Sequence, residues 1–307
     1  MKIFLTGASG FVGANLLREL VERRQHEIAI LLRSKESAWR IIDILPKVKV
    51  ILGDLYRIES FETHLAALKP DVFIHLAWDG VLGNKRNSPI QWRNIPATLE
   101  LVEIASRVGA KHWIGLGSQA EYGPCENKIN ELSSTKPTTL YGMSKLATFN
   151  LAQRLCNDLG IRFGWLRLFS SYGPADNPNW MIPYLIESFL KRERPKVTRA
   201  EQLWDYIYIK DVATAIVALV ESHEAAGVFN LGSGSAFHLR SVIEKIRNLV
   251  DPALPIGFGE VEYRQDQIMY LQADISRLKK YTGWNPIVDL DTGLKETVDW
   301  YIRHKKK

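Results

Sequence analysis

Apolar residues in the first half of the chain fall into short β-branched runs separated by stretches with helical spacing, the pattern of βαβ units and a parallel sheet. Strands are expected at 3–6, 27–32, 48–52, 72–76, 112–116 and 163–168, within a sheet of about seven. Residues 10–23 carry Leu16, Leu17 and Leu20 on one helical face, and 91–108 place Trp92, Ile95, Leu99, Val102 and Ser106 at spacings of three and four. Proline fits a helix only in its first turn, so Pro96 puts the start of that helix near Asn94. A further helix runs over 141–158 and stops at Leu159-Gly160, the left-handed cap that glycine favours.

Beyond residues 172–178 the elements shorten and Pro and Gly become frequent, while 206–220 reads as a return to the main sheet. Residues 1–174, with 205–232 returning to them, are therefore expected to form the sheet domain, and 175–204 with 233–307 a smaller, interleaved C-terminal lobe. At 46% hydrophobic and 24% charged residues, the composition is that of a folded globular chain. Cys125 and Cys156 are too few for a disulfide framework. Met1-Lys2 leads directly into the first strand without a signal-peptide pattern, and no run approaches the ~18 apolar residues of a membrane span. A cytoplasmic protein without a membrane partner is expected. The net charge of +6 is spread along the chain without the basic stripe of a nucleic-acid reader, which favours a small anionic partner over DNA or RNA. Seven scattered histidines show no metal-ligand spacing, so no metal is expected.

Gly7-Ala8-Ser9-Gly10-Phe11-Val12-Gly13 follows the first strand and opens the first helix. Glycines there permit a tight turn and close backbone approach, and the helix start offers free N–H groups to a pyrophosphate. The loop alone also fits a plain strand-to-helix turn; in its βαβ setting it points to a Rossmann-type, doubly wound α/β fold binding a dinucleotide through Gly7, Ser9, Gly10, Phe11, Val12 and Gly13. The second strand ends in Leu32-Arg33-Ser34 with no acid to hold a ribose 2′-hydroxyl. An arginine fork suits a 2′-phosphate, so NADP (NADPH) is expected and NAD less so, with Arg33 and Ser34 as contacts. Asp54 and Leu55, after the third strand, reach toward the adenine.

Tyr141 and Lys145 stand four residues apart, on one helical face. An ammonium beside a phenol favours the phenolate and so makes a proton-shuttling pair, although such pairs also occur on exposed helices. Ser118 lies at the carboxyl end of the fifth strand, where open α/β sheets bind ligands, and Leu116-Gly117-Ser118-Gln119-Ala120 lacks the glycine pattern of a nucleophile elbow. A hydrogen-bonding role fits Ser118 better than a nucleophilic one.

Together with His75-Leu76-Ala77, Asn94, Thr98, Tyr122-Gly123, Arg167-Leu168-Phe169, Tyr172-Gly173-Pro174, the segment 205–213, 229–232, Ala273-Asp274 and 283–286, these residues resemble the extended short-chain dehydrogenase/reductase family over nearly the whole chain. The resemblance is to its nucleotide-sugar epimerases, dehydratases and 4-keto-reductases. It implies Tyr141 as acid/base, Lys145 on the nicotinamide ribose, and Ser118 on the reacting oxygen. Leu76, Ala77, Trp78 and Asn94 join the cofactor contacts. The implied substrate is a nucleoside-diphosphate sugar, held by Ser118, Gln119, Tyr141, Ser170, Trp180 and Arg264, the last on the pyrophosphate. Gln119 and Glu121 are expected to flank the sugar, and a homodimer is expected through 94–108 and 141–158.

Departures from the family pattern bear on the reaction at 119–120 and on the substrate contacts at 170 and 204. Gln119 and Ala120 occupy positions where 4,6-dehydratases carry an Asp-Glu pair, and neither can transfer the protons of an elimination. Trp204 stands where many relatives have arginine, and Ser170 where many have asparagine. The reading that follows is NADPH-dependent reduction of a 4-keto-6-deoxy sugar, for deoxysugar and polysaccharide biosynthesis. An NAD(P)-dependent epimerase is the alternative, and a non-catalytic NADP-binding sensor a weaker one.

Overall fold

The computed structural model describes residues 1–264 and 267–304. In chain order its elements are β1 (Lys2–Thr6), α1 (Phe11–Arg23), β2 (Glu27–Leu32), β3 (Lys49–Leu52), α2 (Glu62–Leu68), β4 (Val72–His75), α3 (Ile90–Arg107), β5 (His112–Ser118), α4 (Leu140–Asp158) and β6 (Arg162–Leu168). They continue with β7 (Ser170–Tyr172), α5 (Met181–Leu190), β8 (Lys196–Val197), β9 (Leu203–Trp204), β10 (Tyr206–Tyr208), α6 (Ile209–Glu221) and β11 (Gly227–Leu231). The last are β12 (Phe237–His238), α7 (Leu239–Val250), β13 (Gly257–Phe258), β14 (Tyr270–Leu271), α8 (Ser276–Thr282) and α9 (Leu290–His304).

Seven strands form one parallel sheet in the order β11-β6-β5-β4-β1-β2-β3. This is the expected Rossmann-type sheet, and its order reverses between β1 and β4, so a crevice opens at their carboxyl ends. Alternation along each strand feeds two layers. Ile3, Leu5, Ile28, Ile30, Ile74 and Ile114 pack into the core that includes α1 and α6, while Phe4, Leu31, Phe73 and Trp113 pack into the one under α3 and α4. In the second layer Trp113 stacks 5.8 Å from Phe163 and 6.4 Å from Trp165. Gly115 makes room for them, because a Cβ there would come within 2.5 Å of the Trp165 ring.

The small β12-β9-β14 and β13-β8 sheets accompany α5, α7 and α9, which pack on one another. Buried acids tie these parts to the sheet. Asp205 accepts from the amides of Ser233, Gly234 and Ala273 and from the Ser233 hydroxyl, and Asp211 accepts from the amides of Ile287 and Val288. No helix among the described residues is long and apolar enough to cross a membrane.

Two elements differ from the sequence expectation. Helix α3 starts at Ile90, with Pro96 inside it, because tertiary hydrogen bonds hold the turn that proline weakens. The Gln91 amide donates to Gly80 O and Lys85 O at 2.6 and 2.8 Å and accepts from Trp78 Nε1, and Asn94 Nδ2 donates to Ile90 O. The chain also rejoins the main sheet later than Tyr206: Tyr206–Tyr208 pairs with β7 in a separate ribbon, and Gly227–Leu231 is the strand added beside β6.

Candidate functional site

A cleft of 1190 Å³ opens over the carboxyl ends of the strands. Its first wall is the β1–α1 loop, where Gly7 has φ +78° and a Cβ would lie 2.6 Å from Ala77 N. A Cβ on Gly13 would lie 2.1 Å from Gly7 O, so the helix start is drawn tightly back onto the strand end. Gly10 caps α1 without any side-chain hydrogen bond, which leaves the N–H groups of the first turn to a ligand. These features fit a dinucleotide pyrophosphate, and Ser9, Phe11 and Val12 line the same wall.

Arg33, Asp54 and Leu55 line the far end of this wall, and Arg33, with 71% of its side chain exposed, lies 3.9 Å from Asp79. Ser34 does not line the cleft. Its carbonyl accepts from Ser37 Oγ, and the turn this makes brings Ser37 and Arg40 to the wall instead, Arg40 bonding Ala175 O. Leu76, Ala77 and Trp78 form the floor after β4. Asn94 borders the cleft, but its amide is spent within the fold, on the main chain of Asp79, Ile90 and Gln91. His75 bonds Thr6 and Thr98, and complete burial lowers its pKa to about 3, so it is neutral.

Ser118, Tyr141 and Lys145 meet at the centre. Thr139 caps α4 by accepting from Gly142 N, and Gly142 lets that helix close on the turn after β5, since a Cβ there would stand 2.3 Å from Ala120 O. This approach brings the Tyr141 phenol beside the Ser118 hydroxyl. Ser118 Oγ accepts from Ala120 N at 3.2 Å, so its own proton is free to point outward. Lys145 Nζ donates to Leu116 O at 2.6 Å and lies 3.7 Å above the Trp78 ring. Burial pulls the Lys145 pKa down to about 7, against the opposing pull of Glu121. Burial raises the Tyr141 pKa, and Arg86 and the neighbouring Ser118 hydroxyl draw it back.

Arg86 and Glu121 occupy places the sequence expectation did not give them. Arg86 stacks its guanidinium 4.3 Å from the Tyr141 ring centre, from an aperiodic segment that carries no local signal. Glu121 does not flank the sugar pocket: it is fully buried and paired with Arg167 at 2.7 Å. Its place was readable, because Ser118 and Glu121 have the spacing of a capping box, and both bonds of that box form. Gln119, Ser170, Trp180 and Arg264 also line the cleft, and Trp204 Nε1 donates to Ser170 Oγ at 2.7 Å. No cluster of three or more metal-ligating side chains occurs among the described residues.

A doubly wound sheet with a glycine-rich turn at its switch point defines a dinucleotide-binding α/β protein. Residues 3–232 match the model of the NAD dependent epimerase/dehydratase family, and the chain belongs to that family. It is 23% identical to dTDP-glucose 4,6-dehydratase 1 of Escherichia coli (strain K12), over 100% of this chain and 94% of that protein. It is 25% identical to UDP-glucose 4-epimerase of Halalkalibacterium halodurans, over 99% and 96% of the two chains. The solved UDP-N-acetylglucosamine 4-epimerase of Methanobrevibacter ruminantium M1 superposes with a TM-score of 0.89 at 25% identity, covering 99% of this chain and 98% of that one.

Replacing Gly13 by Ala should force the α1 start off the β1 turn. We expect dinucleotide affinity to fall about tenfold or more by calorimetry, with far-UV circular dichroism retained; unchanged affinity would show that this turn does not carry the cofactor.

Proposed function

We propose that the protein reduces a nucleotide-activated 4-keto-6-deoxy sugar at the expense of NADPH, with Ser118, Tyr141 and Lys145 as its catalytic residues. The observation that carries this reading is the pair of positions after Ser118: Gln119 lines the cleft and Ala120 cannot titrate, while the nearby Glu121 is buried against Arg167. Elimination of water from a sugar needs an acid and a base beside it, whereas reduction of a ketone needs only a hydride and one proton. When bound, NADPH supplies the hydride. Tyr141 donates the proton to the forming alkoxide, Ser118 directs its hydroxyl hydrogen at the same oxygen, and Lys145 binds the nicotinamide ribose. Arg86, stacked on the Tyr141 ring, adds positive charge that favours proton release from the phenol.

NADPH rather than NADH is favoured by Arg33, whose exposed guanidinium stands at the end of β2 without an acid on that strand end. Gln119, Ser170, Trp180 and Arg264 are proposed to hold the nucleoside-diphosphate sugar. Epimerisation without net cofactor use is the second reading, favoured by the similarity to 4-epimerases and by the acid Asp79 facing Arg33. We further propose a homodimer built on α3 and α4, which expose Trp92, Met143 and Leu151.

Incubation with NADPH and a panel of nucleotide 4-keto-6-deoxy sugars should yield a product heavier by two hydrogens in mass spectrometry; unchanged mass with altered retention would replace reduction by epimerisation. Tyr141→Phe should lower turnover about a hundredfold or more while NADPH binding stays intact, and a fully active variant would remove the proposed acid. Arg33→Asp should shift the NADPH to NADH affinity ratio about tenfold or more toward NADH; an unmoved ratio would sink the assignment of Arg33. Sedimentation velocity should give a dimer that Leu151→Glu dissociates, and a monomeric wild type would remove the proposed interface.

A further inference from the structure

Glu121 has no exposure and sits behind the cleft floor. Its Oε1 accepts from Ser118 N at 2.9 Å and from Trp165 Nε1 at 3.0 Å, and its Oε2 accepts from Arg167 Nε at 2.7 Å. Gly117 makes this possible, because a Cβ there would fall 2.5 Å from Glu121 Oε1 and 2.2 Å from Trp165 Nε1. Lys145 Nζ grips the same strand end one residue earlier, at Leu116 O. The carboxylate and the ammonium thus hold opposite ends of the three-residue segment 116–118 that delivers the Ser118 hydroxyl.

Stability alone does not call for such a pair. A buried ion pair is roughly matched by well-packed apolar residues of the same size, while removal of one partner leaves a costly unpaired charge. What apolar residues cannot replace is an acceptor for Ser118 N–H and a negative charge to counter the buried ammonium of Lys145. Among the described residues, the charged and titratable groups set against Lys145 are Glu121 from the turn after β5 and neutral His75 from β4, with Tyr141 one turn earlier on α4. Glu121 is the one anion in that set.

We propose that Glu121 is a positioning residue for this site: it fixes the main chain that aims Ser118 and counters the buried charge of Lys145, while Arg167 and Trp165 hold its carboxylate in place. The proposal rests on the reading that Ser118, Tyr141 and Lys145 carry the chemistry. In its absence Ser118 would lose an N–H acceptor from beneath, and Lys145 would lose the anion that counters its charge.

The test uses two double variants that remove both members of the Glu121–Arg167 pair, so that neither strands one of its charges. Glu121→Gln with Arg167→Met keeps an acceptor for Ser118 N; Glu121→Val with Arg167→Met does not. Thermal melts confirm that each is folded. In the cofactor-free protein the ¹³Cε signal of Lys145, assigned by its loss in Lys145→Arg, is followed against pH. The wild-type midpoint should lie near 7, and in both double variants it should fall by about one pH unit, since an anion is lost; an unmoved midpoint overturns the charge role. With a substrate found in the panel above, kcat of the Val variant should drop about tenfold further than that of the Gln variant at unchanged KM, and equal kcat values overturn the aiming role. If the wild type turns over no nucleotide sugar, the functional reading fails, while the Lys145 titration still decides on Glu121.

Discussion

The turn after β1 reaches the end of β4 through a gap that admits no side chain. Residue 7 meets the main chain of Leu76 and Ala77, and residue 13 meets the carbonyl of residue 7, each at distances a Cβ could not share. Because β1 and β4 are neighbours at the point where the strand order reverses, this contact decides where the first helix begins and where its unpaired N–H groups face. The floor at Leu76–Trp78, the Trp78 indole under Lys145 and the Asn94 amide that ties down Asp79 are all placed from that contact outward. Displacing the turn by the width of a methyl group would move the whole first wall against the second.

The opposite wall is assembled by the same device. Gly115 and Gly117 leave β5 bare where Trp165 and Glu121 pass, and Gly142 lets α4 close on Ala120 O. Three side chains from two elements thereby converge on one point, each held by hydrogen bonds or packing that leave it little rotamer freedom. Groups set in this way on strand ends and a capped helix are preorganised, and no loop has to fold to complete them.

Much of this was legible in the chain because it is local. Alternating residues such as Ile3, Phe4 and Leu5 report a strand buried on both faces, and the glycines at 7, 10 and 13 report a close turn. What escaped depends on contacts between distant segments. Pro96 argued for a late helix start, but the side chain of Gln91 reaches back to Gly80 and Lys85 and holds the earlier turn. Ser34 sits beside Arg33 in sequence, yet the turn closed by Ser37 carries Ser37 and Arg40 to the wall. Glu121 looked like a polar residue at a cleft edge; its partner Arg167 is 46 residues away, on another strand. Arg86 belongs to a segment without period, so nothing local marked its approach to Tyr141.

Ser170 and Trp204, which line the same cleft, are bonded to each other across β7 and β9. Neither is then free to drift by itself. Replacing Trp204 by leucine alone would leave the serine without its donor, and a larger side chain at 170 alone would press against the indole. The two positions therefore act as one unit of the pocket wall, and a change at either is felt at the other.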